Sequence, residues 1–197
     1  MKTKINDEII NLIKKKKVIM FGETHGTKEI PQFLEKFIIN KLKDFDIIVA
    51  LEIPKEYENK IVKYFKEGEG KWSFATKYYH SLIKKLKLNN IKIVFIDGFV
   101  ISQKGKEENL VKEILNVLKN NKKIIVVTGD FHASSLPINV NGKNIETTGS
   151  ILKNILQKDF TSVRLVLDND EDIFNNNFDA VINCNEDVEY IHADDDD

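Results

Sequence analysis

Six apolar runs rich in Ile and Val alternate with segments of helical spacing, and that alternation confines the chain to a parallel sheet wrapped by helices. The runs lie at Val18 to Phe21, Ile47 to Ile53, Ile91 to Ile96, Ile124 to Thr128, Val163 to Leu167 and Ala180 to Ile182. Between them, Ile30, Phe33, Leu34, Phe37, Ile38 and Leu42 follow the i, i+3, i+4, i+7 rule, as do Leu110, Val111, Ile114, Leu115 and Leu118. Each such helix has one face to bury. Eight βα units closed into a barrel take about 250 residues, and the chain has 197. The predicted fold is therefore α/β, an open and mostly parallel sheet of about five or six strands with helices on both faces. A helical insertion is predicted between the second and third strands. The segment Phe65 to Trp72, with Gly68 and Gly70, is its loop and a candidate lid.

Composition narrows the function classes. The chain is 42% hydrophobic and 31% charged with a formal net charge of −1, the makeup of one globular domain. That domain is placed at residues 1–193, followed by the acidic tail Asp194 to Asp197. Lysines are interspersed with acids, apart from Lys14 to Lys17 at a helix end, so no nucleic-acid face is expected. No apolar stretch approaches the ~20 residues that span a bilayer. The N-terminal residues lack a secretory h-region, and a cytoplasmic protein without membrane partners is expected. Cys184 is the only cysteine, which excludes an internal disulfide and a thiolate cluster; it reads as a small buried hydrophobe.

One phrase occurs twice. Gly22-Glu23-Thr24-His25 and Gly129-Asp130-Phe131-His132 both read Gly-acid-x-His, and each follows an apolar run. At the end of a strand, residues i and i+2 share a side, so Glu23 is expected beside His25 and Asp130 beside His132. Open α/β sheets bind ligands at the carboxyl ends of their strands. Glu52 and Asp97 end the second and third runs and join the two motifs there. The second strand is expected next to the first. The set His25, His132, Glu23, Glu52, Asp97 and Asp130 can hold a divalent cation such as zinc, manganese or iron, or activate water without one. So many converging acids predict stored like-charge repulsion, relieved rather than worsened by Glu52→Gln or Asp130→Asn.

Other polar residues read more plainly. Thr27 or Glu29 is expected to cap the helix carrying Pro31, and Ser134 and Ser135 to serve in capping or a turn. Arg164, the only arginine beside 29 lysines, reads as an outward charge on an edge strand, with a reach toward a site carboxylate as the alternative. His80 reads as a helix-surface residue, and His192 lies in the terminal region.

The stretch Phe21-Gly22-Glu23-Thr24-His25-Gly26-Thr27-Lys28-Glu29 resembles the first motif of the erythromycin-esterase-like and ChaN-like proteins. The wider pattern Gly-x-x-His, strand-end Glu, Gly-x-x-His is similar to the TraB and Tiki group of the same superfamily. That resemblance spans roughly residues 17 to 135. It carries over His25, Glu52 and His132, with Glu23 and Glu29 supported by the esterase-like motif. It implies a hydrolase, metal-dependent on peptides as in Tiki or acting on esters as in the esterases. The alternative it implies is a haem- or metal-binding protein without turnover, as in ChaN. A small molecule or peptide is the expected substrate.

Overall fold

The structure is a computed structural model that describes residues 7–42, 45–59, 76–98, 100, 102–119, 123–168 and 172–184. Helices are α1 (Asp7–Lys15), α2 (Glu29–Phe37), α3 (Lys77–Leu88), α4 (Gln103–Leu118), α5 (Asp130–Ala133) and α6 (Thr148–Leu156). Strands are β1 (Val18–Glu23), β2 (Ile47–Pro54), β3 (Lys92–Asp97), β4 (Lys123–Gly129), β5 (Ile138–Val140), β6 (Lys143–Ile145), β7 (Phe160–Val166) and β8 (Ala180–Asn183). Six of the strands form one sheet in the order β3-β2-β4-β1-β7-β8, parallel throughout, as the apolar runs predict. The short strands β5 and β6 form a separate antiparallel hairpin, whose turn residues Asn141 and Gly142 have φ of 51° and 78°. Both values suit the tight hairpin turn that Asn-Gly favours.

Strand alternation sends successive side chains to opposite faces, and each face acquires its own core. Ile19, Phe21, Val49, Leu51, Ile125 and Val127 meet Phe33, Leu34 and Phe37 of α2 and Leu82, Ile83 and Leu86 of α3. Within that layer Phe33 and Phe37 stack at 5.5 Å between ring centroids, and Phe21 meets Phe37 edge-on at 6.0 Å. Val18, Met20, Ala50, Ile124 and Val126 face the other way, onto Leu110, Val111 and Ile114 of α4 and Leu152 of α6. Each large apolar side chain so covered contributes about 1.5–3 kcal/mol.

The two layers determine where a ligand can enter. Connections running from β1 to β2 and from β2 to β3 travel toward the β3 edge and put α2 and α3 on one face. Connections leaving β3 and β4 travel the opposite way and put α4 and α6 on the other. The chain paths after β2, β4 and β1 thus diverge, and it is at such a point, above the carboxyl ends of the strands, that open α/β sheets bind ligands in a crevice. Glu52, Gly129 and Glu23 stand at that edge.

Some expectations are corrected. The second strand does not flank the first: β4 lies between β1 and β2, which brings Glu52 against the second Gly-acid-x-His instead. β7 is flanked by β1 and β8, so Arg164 is on an interior strand and buried, because its guanidinium has partners inside the protein. Thr27 does not cap α2: its buried hydroxyl makes no hydrogen bond, while the Glu29 carboxylate accepts the Lys28 N–H at 3.1 Å. The predicted loop from Phe65 to Trp72, the acidic tail and His192 lie outside the described residues.

Gly149 joins the two helices that frame the second motif. A Cβ there would stand 2.4 Å from the Ser134 carbonyl oxygen and 2.5 Å from that of Ala133, and backbone atoms cannot give way as a flexible side chain would. Gly149→Ala is expected to destabilise the fold by about 2–3 kcal/mol, read from urea unfolding. A change under ~0.5 kcal/mol, the scale of a neutral surface substitution, would mean that α5 and α6 are not held in contact through this glycine.

Candidate active site

β1 delivers the first pair. Odd positions of β1 face the α2–α3 layer, so Glu23 is buried there, next to the fully buried Tyr79 of α3. Gly26, at a φ of 85°, then turns the chain sharply and leaves His25 at the rim. A carboxylate can only accept, so the bond between His25 Nδ1 and Glu23 Oε1 is donated by the imidazole, which fixes its tautomer. The Nε2 edge lies over Gly129, where a Cβ would come within 3.3 Å of Nε2, while the ring keeps 20% exposure. Burial pushes the Glu23 carboxyl above its ordinary range, with Asp130 adding to the rise against the pull of His25. Burial lowers the His25 pKa, but the hydrogen bond and charge of Glu23, with help from Glu52, outweigh it and hold His25 above 6.5.

The second imidazole is gripped from both sides. His132, in α5, donates from Nδ1 to Glu107 Oε1 at 2.7 Å, and its Nε2 stands 3.3 Å from Glu52 Oε1. Glu107 belongs to α4 and is itself held: Gln103 Nε2 donates to it at 2.5 Å, and the Thr148 N–H and hydroxyl donate at 2.8 and 2.7 Å. Burial opposes the imidazolium, yet Glu107 and Glu52 together raise the His132 pKa. Burial opposes the Glu107 carboxylate too, and the bonds from His132 and Thr148 lower its pKa nonetheless.

Glu52 occupies the middle. Its Oε2 accepts the Gly129 N–H at 3.0 Å, and its Oε1 accepts Lys106 Nζ at 2.6 Å as well as facing His132. Asp97 lies 4.0 Å from Lys106, its pKa raised by burial and by the charge of Glu52. The Lys106 ammonium, though partly desolvated, is kept charged by Glu52 and Asp97.

The two motifs therefore differ. Asp130 does not pair with His132, because α5 begins at that residue and turns its side chain toward β7. There Arg164 Nε donates to Asp130 Oδ2 at 2.9 Å while a terminal nitrogen donates to Asn175 at 2.7 Å. Gly22 allows this, since a Cβ there would lie 3.0 Å from Asp130 Oδ1. The expected pool of repelling acids is instead interleaved with cations and imidazoles, with Lys106 between Glu52 and Asp97, His132 between Glu52 and Glu107, and Arg164 on Asp130, and Asp130→Asn is expected to destabilise by weakening the hold on a buried guanidinium. Ser134 bonds the Leu136 carbonyl at 2.6 Å and Ser135 that of Asn177 at 2.8 Å, both structural. Cys184 is buried and His80 lies on α3 at intermediate burial. Glu107, Lys106, Gln103 and Thr148 escaped sequence reading; the one available signal was Lys106-Glu107 on the buried side of a helix that otherwise presents Leu110 and Ile114.

The donors do not suit the cofactors that the resemblance implies. With both Nδ1 atoms held by glutamates, only the Nε2 atoms could ligate a metal, as is usual for an imidazole oriented by a carboxylate; the Nε2 of His132 already faces Glu52, whose oxygens are held by an ammonium and an amide as well. Among the described residues, no three His, Cys, Asp or Glu side chains converge as ligands of one ion. Haem would need an imidazole or phenol facing an apolar slot. His132 is closed by its two glutamates, Tyr79 by burial, and His25 lies among Glu23, Glu52 and Lys106.

No protein-family model matches the chain, and no curated protein matches it by sequence. Solved structures share its fold. An erythromycin esterase mutant, EreC in its open conformation, superposes with a TM-score of 0.58 at 10% identity over 82% of this chain and 72% of that one. The type III effector HopBA1 gives 0.54 at 13% over 90% and 92%. RRSP, a MARTX toxin effector domain from Vibrio vulnificus, gives 0.54 at 17% over 83% and 36%. The chain spans about a third of the length of such toxin chains. At these identities the likeness is one of fold alone.

The Glu107–His132 pair makes stability depend on pH. His132, raised above 6.5, stabilises fully below that pH and loses its contribution as pH rises through the folded value; Glu107, lowered below 4.5, contributes above 4.5 and loses it as pH falls. The pair is thus most stabilising between those two values. Glu107→Gln is expected to lower the melting temperature most within that window and to drop the His132 pKa seen by NMR titration. An unmoved His132 titration would break the link.

Proposed function

We propose that this chain is a metal-independent hydrolase of an ester or amide bond, with His25 as the base that activates water. The observation that carries this reading is the Glu23-oriented imidazole at the rim of a sheet-edge crevice, its Nδ1 occupied and its Nε2 edge turned to Gly129. As a water oxygen bonds to the substrate carbonyl carbon, its proton passes to His25 Nε2, and Glu23 stabilises the imidazolium that results. Collapse of the tetrahedral intermediate breaks the bond to the leaving oxygen or nitrogen, which takes the proton from His25. His132, with carboxylates at both ring nitrogens, is enclosed and does not serve as a second base. The esterase among the fold neighbours is in keeping with this reaction class.

The test is a screen of chromogenic esters and fluorogenic peptides with the purified protein, before and after chelation. Turnover that survives chelation and falls at least ~100-fold in His25→Ala, the scale of lost base catalysis, is expected. Turnover abolished by chelation and restored by zinc or manganese, or a Soret band in protein from haem-replete cells, would overturn the reading. The pH profile gives a sharper check. Glu23 holds the His25 pKa up, so Glu23→Gln is expected to lower turnover and move the acid limb of kcat/KM to lower pH. A limb that stays in place removes His25 as the base.

A further inference from the structure

Each cation in the cluster has a carboxylate partner, but they differ in what remains available. Arg164 is committed to Asp130 and Asn175 and is 5% exposed at its side chain; His132 has carboxylates at both nitrogens and is 12% exposed. Lys106 is different. Its ammonium is tetrahedral with three protons, of which Glu52 takes one at 2.6 Å, and Asp97 at 4.0 Å is too distant for a direct hydrogen bond. Its side chain is 29% exposed, the most open of the three. From α4 it reaches the same Glu52 whose other oxygen holds the amide of Gly129, the residue beneath the His25 Nε2 edge.

A carbonyl attacked by water at His25 develops a negative oxygen, which is stabilised by a hydrogen-bond donor that is unspent and fixed before the reaction. Backbone amides serve this role in many hydrolases. Here the Gly129 N–H at the crevice is already given to Glu52. We propose that Lys106 is a further catalytic residue, whose ammonium receives the oxyanion of the tetrahedral intermediate while Glu52 holds it in place. The inference rests on the hydrolase reading, because an oxyanion forms only if His25 delivers water to a carbonyl. Burial opposes the ammonium, but Glu52 and Asp97 raise its pKa and so favour the charged form. Lys106 in turn lowers the His25 pKa, so the two groups sense each other across the crevice.

The experiment compares the intact chain with Lys106→Met and Lys106→Arg, on the ester found in the screen and on a phosphonate analogue of it that mimics the tetrahedral intermediate. In Lys106→Met, kcat is expected to fall ~100-fold or more, the range for losing one oxyanion donor, with KM within about threefold. Phosphonate affinity should fall with kcat, Lys106→Arg should restore part of both, and the acid limb should move to higher pH as His25 loses a cationic neighbour. A purely structural ammonium would lower the melting temperature without separating kcat from KM or phosphonate from substrate. Lys106→Met that stays folded and keeps kcat within threefold overturns the proposal. If the wild-type chain hydrolyses nothing, the hydrolase reading fails by itself. Binding of phenylphosphonate, followed by NMR, then decides Lys106 separately: loss of binding in Lys106→Met supports its role as anion receiver, and equal or absent binding overturns it.

Discussion

The carboxylate of Glu52 is the contact on which the site depends. It is buried, and three groups from three separate segments converge on it: the Gly129 amide at the end of β4, the His132 imidazole of α5 and the Lys106 ammonium of α4. A buried carboxylate persists only when its lone pairs are filled, and here they are filled by an ammonium, an imidazole and the backbone. Each of those donors would be costly to bury alone. The glutamate thereby adds a polar tie at one point between the strand pair β2–β4, α5 and α4, beside the strand pairing and the Glu107–His132 bond.

The sheet explains why this convergence happens at the crevice. With β4 central, β2 on one side and β1 on the other, the chain leaves the three strands toward different faces. Glu23 turns toward the α2–α3 layer and Glu52 toward the α4 layer, one by each parity of the strand. Two imidazole–glutamate pairs thus approach the rim from opposite faces, with the Glu52 carboxylate between them. Their similarity in sequence conceals a difference in role. His25 is oriented by one glutamate and keeps a face to the rim, whereas His132 is enclosed by two.

Much of the architecture was legible in the residues. The six apolar runs became the six parallel strands, and the edge carrying Glu23, His25, Glu52 and His132 followed from strand-end position alone. Strand order was not legible: placing β4 between β1 and β2 depends on long-range pairing that no local pattern encodes. The hairpin of β5 and β6 was announced by Asn141-Gly142 but flanked by strands too short to show alternation. Asp130 misled because the i+2 rule presumes an extended chain, and helix α5 starts at that residue. Glu107 was hidden for the opposite reason. A charged residue on a helix reads as solvated, and only tertiary structure shows Thr148, Gln103 and His132 closing over it.

The lone arginine follows from the same geometry. In a chain that otherwise uses lysine for every strong cation, position 164 faces two acceptors of different direction, Asp130 Oδ2 at 2.9 Å from Nε and Asn175 Oδ1 at 2.7 Å from a terminal nitrogen. A planar fork meets both at once, while an ammonium on a flexible stem offers one point of charge and is more heavily hydrated, hence harder to bury. Arg164 pairs in register with Gly22 on β1, and the missing side chain at Gly22 leaves the space that Asp130 enters. The first residue of the first motif therefore admits the acid of the second, and the arginine holds it there. That lock turns Asp130 away from His132, whose Nδ1 is held instead by Glu107 from the other layer.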